Sequence, residues 1–213
     1  MRRDNFGIII QTDKDKPDYA DAGDSAFSTG LMAFCGSLED IRLMPLFITE
    51  DHQLVRHPFQ SANTGTHPHN DPRSVSRDQV IAFFAGLKWC VDETVKKACL
   101  KYAKGWRVNR DILGPAHKYY LYKLAGVEPS TTLEFFAELH QMCSLVWDCY
   151  IRPNTEKNQS VVMNCIFGDE WIKLLVKHHP DIYSNVENYF GGWRGRGEIA
   201  VSLNQALTKQ VMR

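Results

Sequence analysis

The sequence predicts a mainly α-helical protein of packed helical hairpins, with a small β element near its amino terminus. From residue 76 onward, helix-capping residues alternate with apolar residues at helical spacing. Before residue 58, short apolar and β-branched runs occur instead. We therefore expect one helical domain over residues 1–213, with strands confined to 1–58, a long irregular loop at 59–75 and helices across 76–213.

The amino-terminal part predicts short elements. Residues 6–11 are apolar and β-branched and predict a strand, and the charged residues 12–18 predict a loop. Residues 37–44 predict a short helix that Pro45 ends. Residues 46–49 and 53–56 flank a polar turn and predict a β-hairpin.

A helix is expected to begin near Asp24 and to end near Gly36. Asp24 or Ser25 can cap its first turn, because a short side-chain oxygen accepts from a free backbone N–H. The residues that follow provide enough apolar surface to bury the helix: Ala26, Phe27, Leu31, Met32, Phe34 and Cys35. The sequence therefore predicts a buried helix with a polar start.

Four further helix starts are predicted from local signals. Ser76 and Gln79 have the spacing of a capping box, and Asp92 precedes a second apolar stripe that pairs with the first as a hairpin. Pro115 begins the next helix. Thr131 and Glu134 predict another capping box. The helix they begin is expected to reach residue 150, with these residues facing the core: Phe135, Leu139, Met142, Val146 and Cys149.

Composition excludes several classes of function. Lys and Arg number 25, as do Asp and Glu, so no basic excess indicates nucleic-acid or membrane-surface binding, and we expect neither partner. No stretch approaches the length of a membrane span. The six cysteines form no CxxC pair, and we expect reduced thiols in a protein made in a cytosol.

The histidines near the long loop are a candidate metal cluster. His52, His57, His67 and His69 fall within a short stretch together with Asp51 and Asp71. Their spacing matches neither HExxH nor a zinc finger. We therefore expect no metal site and no cofactor.

Polar residues at helix starts are the main candidate site. If helical hairpins pack side by side, alternate helix starts meet at one end, and Asp24, Asp78 and His117 then share a pocket. Two carboxylates in one pocket are the minimum for glycoside hydrolysis. The alternative is that each residue only caps its helix. Substrate-binding candidates beside them are Ser25, Arg56, His57 and Arg77.

Four short motifs carry a resemblance. They are the D-x-G-D-S-A…T-G pattern of residues 21–30, the R-H-P of 56–58, the S-R-D-Q of 76–79 and the P-x-H of 115–117. This order resembles uncharacterised bacteriophage-encoded proteins. The layout of polar helix starts is also similar to (α/α) toroid glycan-processing enzymes. That likeness implies a partial toroid with the paired carboxylates as its catalytic groups.

Two functions are therefore expected. The first is a bacteriophage virion-associated structural protein, assembled in the host cytoplasm and docked onto other virion proteins in an oligomeric particle. The second is a glycan-processing hydrolase. For the first, the partner-binding candidates are Trp193, Arg194 and Arg196, because Trp and Arg often contribute most to interface energy.

Overall fold

The computed structural model describes residues 2–13, 16–59, 73–109 and 111–146. Within these residues the chain is mainly helical, with a small sheet at the amino terminus, as predicted. The predictions on residues 60–72 and 147–213, which include Trp193, Arg194 and Arg196, lie outside the described residues. The partial toroid stays a prediction.

Three short antiparallel strands form the amino-terminal sheet. They are β1 (Arg2–Arg3), β2 (Ile9–Asp13) and β3 (Lys16–Asp21), in the order β1-β2-β3. The predicted loop at residues 12–18 is therefore wrong for the most part, because it contains the end of β2 and the start of β3. Local charge suggested a loop, whereas pairing with β2 makes the segment a strand.

A buried ion pair fastens this sheet to the helices. The Arg3 guanidinium donates to both carboxylate oxygens of Asp40 at 3.0 and 2.8 Å, and the Asp40 side chain is fully buried. Asp40 lies in α2 (Leu38–Leu43), which Ser37 caps by accepting from the Asp40 N–H. A bidentate ion pair of this kind fixes the orientation of β1 against α2.

α1 (Ser25–Phe34) is the central helix, and it is buried around almost its whole circumference. It packs mainly against α3 (Arg77–Ala85), and it also contacts α2. A Cβ added at Gly30 would lie 2.2 Å from the Phe83 Cα, so the two helix backbones touch at this glycine. The predicted burial of this helix is confirmed.

The remaining described helices pack on one another in chain order. α4 (Glu93–Lys104) packs against α5 (Pro115–Leu124), and α5 packs against α6 (Thr131–Val146). The sequence predicted that α3 and α4 pair as a helical hairpin. This prediction is wrong, since α3 packs mainly on α1. Phe83 and Phe84 of α3 are fully buried in the core, and complete burial of each contributes about 2 to 3 kcal/mol.

Local caps agree with the prediction at three of the starts. Ser76 and Gln79 form the capping box of α3, and the Asp92 carboxylate accepts from the N–H groups of Thr94 and Val95. Pro115 is the first residue of α5. At α6 the predicted capping box is wrong, because Ser130 accepts from the Leu133 N–H and is the capping residue.

Two further differences concern strands. A two-stranded ribbon of β4 (Arg107–Val108) and β5 (Asp111–Ile112) lies between α4 and α5, so strands are not confined to residues before Pro58. The predicted hairpin at 46–56 is reduced to one bridge, Ile48 with Leu54, because residues 44–47 form a 3₁₀ turn. The chain still reverses there, with the Thr49 N–H donating to the Gln53 carbonyl.

The predicted core face of α6 is wrong at two described positions. Phe135 is 61% exposed and Leu139 is 46% exposed, whereas Ala137 is buried. Ala137 packs in a small cluster with Ala116 and Tyr120 of α5. The small side chain allows close approach of α5, so α6 turns a different face inward. No described helix has the length and apolar character needed to cross a bilayer.

Candidate functional site

The starts of α1 and α3 meet at a polar contact. The Gln79 side-chain amide of α3 donates to the Gly23 carbonyl at 2.7 Å and to Asp24 Oδ1 at 2.9 Å. Gln79 is 2% exposed, so these bonds form away from bulk water. Asp24 makes no side-chain capping bond to α1, and the predicted cap at this residue is therefore wrong. Its carboxylate is oriented by Gln79 instead.

Arg56 contacts the same region from the segment that precedes α3. Its Nη1 donates to the Gly23 carbonyl at 2.9 Å, and its Nε donates to the Ser74 carbonyl at 2.7 Å. The Arg56 carbonyl in turn accepts from the Ala26 N–H in the first turn of α1. Arg56 thus joins the segment before α1 to the segment before α3, and it lies beside Asp24.

Two buried hydroxyls lie on α1 next to this contact. Ser25 is 1% exposed and Thr29 is fully buried, and they are one helical turn apart. Neither hydroxyl has a hydrogen-bond partner among the described residues. Ser25 therefore provides no cap for α1, contrary to the prediction, and stays a candidate for ligand contact.

The His57 side chain contacts the amino-terminal turn and does not take part in this polar contact. Its Nε2 contacts Asp4 Oδ2 at 2.9 Å, and its Nδ1 accepts from the Phe59 N–H at 3.1 Å. Asp4 also accepts from the N–H groups of Phe6 and Ile8 in the turn before β2. Burial lowers the pKa of His57, which Asp4 partly offsets. His57 therefore connects the amino-terminal turn to the loop after Arg56.

The start of α5 lies beside the start of α3. The Arg77 N–H donates to Asp111 Oδ2 at 3.0 Å, and the Arg77 Nε lies 3.4 Å from Asp78 Oδ1. His117 on α5 is close enough for the Arg77 charge to affect its titration. Asp78 and Arg77 are both about one-third exposed at their side chains, so this part of the contact opens to solvent.

His117 is a neutral imidazole. Its Nδ1 accepts from the Gly114 N–H at 3.2 Å, which leaves the proton on Nε2. Burial, then the charge of Arg77, then His140 lower its pKa to about 3. At neutral pH this side chain therefore carries no charge, and its Nε2–H is a hydrogen-bond donor.

The structure thus brings the predicted residues into two adjoining groups. Asp24, Ser25 and Arg56 lie at the start of α1, and Arg77, Asp78 and His117 lie where α3 meets α5. Gln79 links the two groups, because it follows Asp78 directly and contacts Asp24. The predicted common pocket of Asp24, Asp78 and His117 stays a prediction, and His57 lies apart from both groups.

Sequence reasoning missed two residues of this region. Gln79 was recognised only as a cap, and its second role depends on the position of α1. His140 was not considered, because it lies inside α6 among apolar residues. Its ring centre is 5.6 Å from that of His117, a contact that depends on how α5 packs against α6.

Metal and thiol chemistry can be addressed for the described residues. Among them no group of three or more His, Cys, Asp or Glu side chains is placed to hold a metal ion. Cys35, Cys90, Cys99 and Cys143 are free thiols, and burial raises the pKa of Cys35 to about 12. The predicted histidine cluster at His67 and His69, with Asp71, lies outside the described residues, as do Cys149 and Cys165.

Comparison with known proteins adds no relative. No protein-family model, no curated protein and no solved structure matches this chain at a significant level. The resemblance to bacteriophage proteins and to toroid enzymes therefore stays a prediction.

Proposed function

We propose that this protein docks onto partner proteins in a larger assembly, as a bacteriophage virion-associated structural protein assembled in the host cytoplasm. The supporting observation is the exposure of large apolar side chains on the described surface. Trp106 is 63% exposed next to the β4–β5 ribbon, and Ile112 on that ribbon is 56% exposed. Exposed apolar side chains of this size are often covered by a partner.

The ribbon offers the residue types that interfaces use. The Arg107 guanidinium stacks on the Trp106 ring at 4.2 Å from the ring centre. Trp and Arg are enriched among the residues that contribute most to binding energy, because each buries a large area and still forms hydrogen bonds. This pair has the same residue types as Trp193 and Arg194, which stay predicted partner-binding residues together with Arg196.

Incorporation into particles tests the docking function. The wild-type chain and the variant Trp106→Ala/Arg107→Ala are each supplied in cells infected with a phage that lacks the native gene. Gradient-purified particles are then analysed by mass spectrometry. Because the variant removes the stacked pair, we expect its content in particles to fall about tenfold or more. The control Glu93→Ala/Lys96→Ala removes an exposed ion pair on α4 and should incorporate normally. Absence of the wild-type chain from particles would overturn the proposal.

A glycan-processing hydrolase is the second candidate, and the convergent helix starts favour it. Asp24 and Asp78 lie at the starts of two helices that pack against each other. In such an enzyme these carboxylates would serve as the acid and the base or nucleophile. His117 would donate its Nε2–H to the sugar, because its lowered pKa keeps it neutral. Ser25, Arg56, His57 and Arg77 stay the substrate-binding candidates.

Hydrolysis assays separate the two functions. Wild type, Asp24→Asn, Asp78→Asn and the control Asp111→Asn are incubated with a panel of bacterial polysaccharides, and new reducing ends are measured. An enzyme should lose about a hundredfold or more in rate with either of the first two variants and far less with the control. If wild type releases no reducing ends from any polysaccharide while it enters particles, the hydrolase is excluded and docking is supported.

A further inference from the structure

One side of α6 presents apolar side chains to solvent. Phe135 is 61% exposed, Phe136 is 50% exposed and Leu139 is 46% exposed. Cys143, one turn further along, is exposed as well. Residues four apart lie on the same side of a helix, so these four side chains form one surface, the α6 stripe. Ala137 points the other way and packs against α5, so the α6 stripe is separate from the surface that joins α6 to the fold.

Carboxylates border the α6 stripe. Glu134 and Glu138 directly precede Phe135 and Leu139, and they form a second row along the helix. Glu134 accepts from the Tyr119 hydroxyl with one of its oxygens, and the exposed Glu138 forms no ion pair with the described residues. A segment that covers the α6 stripe should therefore combine apolar side chains with basic ones.

A second copy of this chain does not complement the α6 stripe. The sequence of α6 contains no lysine and no arginine. Two α6 helices packed through their stripes would therefore place carboxylates close to one another and supply no cation from either helix. Like charges in such a contact repel, which disfavours pairing of α6 with itself.

The chain itself contains a complementary segment. Residues 147–213 follow α6 directly and lie outside the described residues. Within them, Lys173 and Lys177 are four residues apart, as Glu134 and Glu138 are. Around the two lysines, apolar residues follow a spacing that predicts an amphipathic helix at 169–177: Trp171, Ile172, Leu174, Leu175 and Val176.

The connection is long enough to bring this segment back along α6. α6 has 16 residues and is therefore about 24 Å long. Residues 147–168 can span up to about 70 Å. Because the segment is joined covalently to the end of α6, its effective concentration at the α6 stripe exceeds that of a separate molecule.

We propose that residues 169–177 pack on the α6 stripe. In this contact the apolar side chains of the segment cover the stripe, and Lys173 and Lys177 lie beside the two glutamates of α6. Burial of large apolar side chains drives the contact, and the paired charges set its register. The inference goes beyond both functions proposed above and depends on neither.

The Cys143 thiol reports on this contact in the full chain. Its rate of alkylation by iodoacetamide is measured by mass spectrometry in the folded protein and is divided by its rate in urea. We expect protection of about tenfold or more, because the thiol reacts when the segment leaves the stripe. The control Val91→Cys places a thiol at a position that is 79% exposed and should show little protection.

Apolar variants identify the segment. Trp171→Asp/Leu175→Asp removes the apolar side of residues 169–177, so it should raise the alkylation rate of Cys143 about tenfold. The matched control Leu203→Asp/Leu207→Asp changes another apolar pair in the same part of the chain and should leave the rate unchanged. Circular dichroism verifies that each variant is folded.

Exchange of charges tests the register and decides alone if the Trp171 variant does not fold. Lys173→Glu/Lys177→Glu places carboxylates opposite those of α6 and should lower the protection of Cys143 about threefold or more. Adding Glu134→Lys/Glu138→Lys to that variant makes the charges opposite again and should restore the protection.

Four results would overturn the proposal. The first two are alkylation of Cys143 as fast as that of the Val91→Cys thiol, and an equal loss of protection in the Leu203 control. The third is failure of the exchanged charges to restore protection. The fourth is protection that increases with protein concentration alongside a dimer in light scattering, which would assign the α6 stripe to a second copy.

Discussion

The contact of α1 with α3 and the contact of α5 with α6 differ in what holds them together. At Gly30 the α1 and α3 backbones touch, and the surrounding side chains are buried. Among the described side chains of the α5–α6 contact, Ala137 packs with Ala116 and Tyr120, whereas Phe135 and Leu139 are exposed. Close packing transmits every change in volume, so we expect the α1–α3 contact to tolerate substitution less well than the α5–α6 contact.

The two carboxylates Asp24 and Asp78 stand on the rigid pair of helices, so their positions are set by close packing. The two imidazoles His117 and His140 stand on α5 and α6, with ring centres 5.6 Å apart. The following four predictions test this contrast, from the largest expected effect to the smallest.

Gly30→Ala should have the largest effect on stability. The added Cβ would lie 2.2 Å from the Phe83 Cα and 2.3 Å from the Ala82 carbonyl oxygen, so α1 and α3 must separate. We expect the free energy of unfolding to fall by about 3 kcal/mol, measured by urea denaturation. The control Gly126→Ala meets no atom, but it strains a backbone with φ of +74° and should cost about 1 kcal/mol. Equal costs for the two variants would contradict the tight contact.

Gln79→Met should have the second-largest effect on stability. This substitution keeps the volume, but it removes the bonds to the Gly23 carbonyl and to Asp24, and the one that Gln79 Oε1 accepts from the Ser76 N–H. Because the site is buried, we expect a loss of about 2 kcal/mol in unfolding free energy. The matched control is Gln53→Met, since the Gln53 side chain makes no hydrogen bond to the described residues. It should change stability by no more than about 0.5 kcal/mol.

Local signals predicted most of the fold, because they act within one turn of the chain. The cap pairs at Ser76 and Asp92, and the proline at the start of α5, identify their helices without knowledge of neighbours. Asn109, in the left-handed region with φ of 53°, is a turn signal that points to the β4–β5 ribbon and was overlooked.

The rest of the site depends on distant contacts. The role of Gln79 toward Asp24 requires that α1 lie against α3. The place of His140 requires that α6 present Ala137 rather than Phe135 to α5. A single sequence contains no local pattern for either choice, because each results from competition among several apolar faces of the same helix. The hydrogen bond that joins Gln79 to Asp24 could therefore not be predicted from the sequence.

The third prediction concerns the pH dependence of stability that the His117 imidazole causes. His117 has a folded-state pKa of about 3, against 6.5 for the free side chain, so the unfolded chain binds more protons between these values. Stability should therefore fall as pH decreases from about 6.5 toward 3. From pH 7 to pH 5 the loss attributable to this group is about 2 kcal/mol.

Urea denaturation of wild type and His117→Gln at pH 7 and pH 5 measures the part of this stability loss that His117 causes. The variant should lose this part of the pH dependence whatever its stability at pH 7. Arg77 and His140 are the charged and titratable groups that act on this ring, so Arg77→Gln should reduce the effect as well. An unchanged slope in His117→Gln would show that the imidazole titrates normally in the folded protein.

Tyr119→Phe should have the smallest effect, because it removes one partly exposed hydrogen bond between α5 and α6. The Tyr119 hydroxyl donates to Glu134 Oε1 at 3.2 Å between α5 and α6, and the residue is only partly buried. Water replaces such a bond when it is lost, so we expect a decrease of about 0.5 kcal/mol in unfolding free energy. Tyr122→Phe on the same helix removes a hydroxyl with no hydrogen-bond partner among the described residues, and it should be neutral. A loss from Tyr119→Phe as large as that from Gly30→Ala would mean that the two helix contacts are equally rigid.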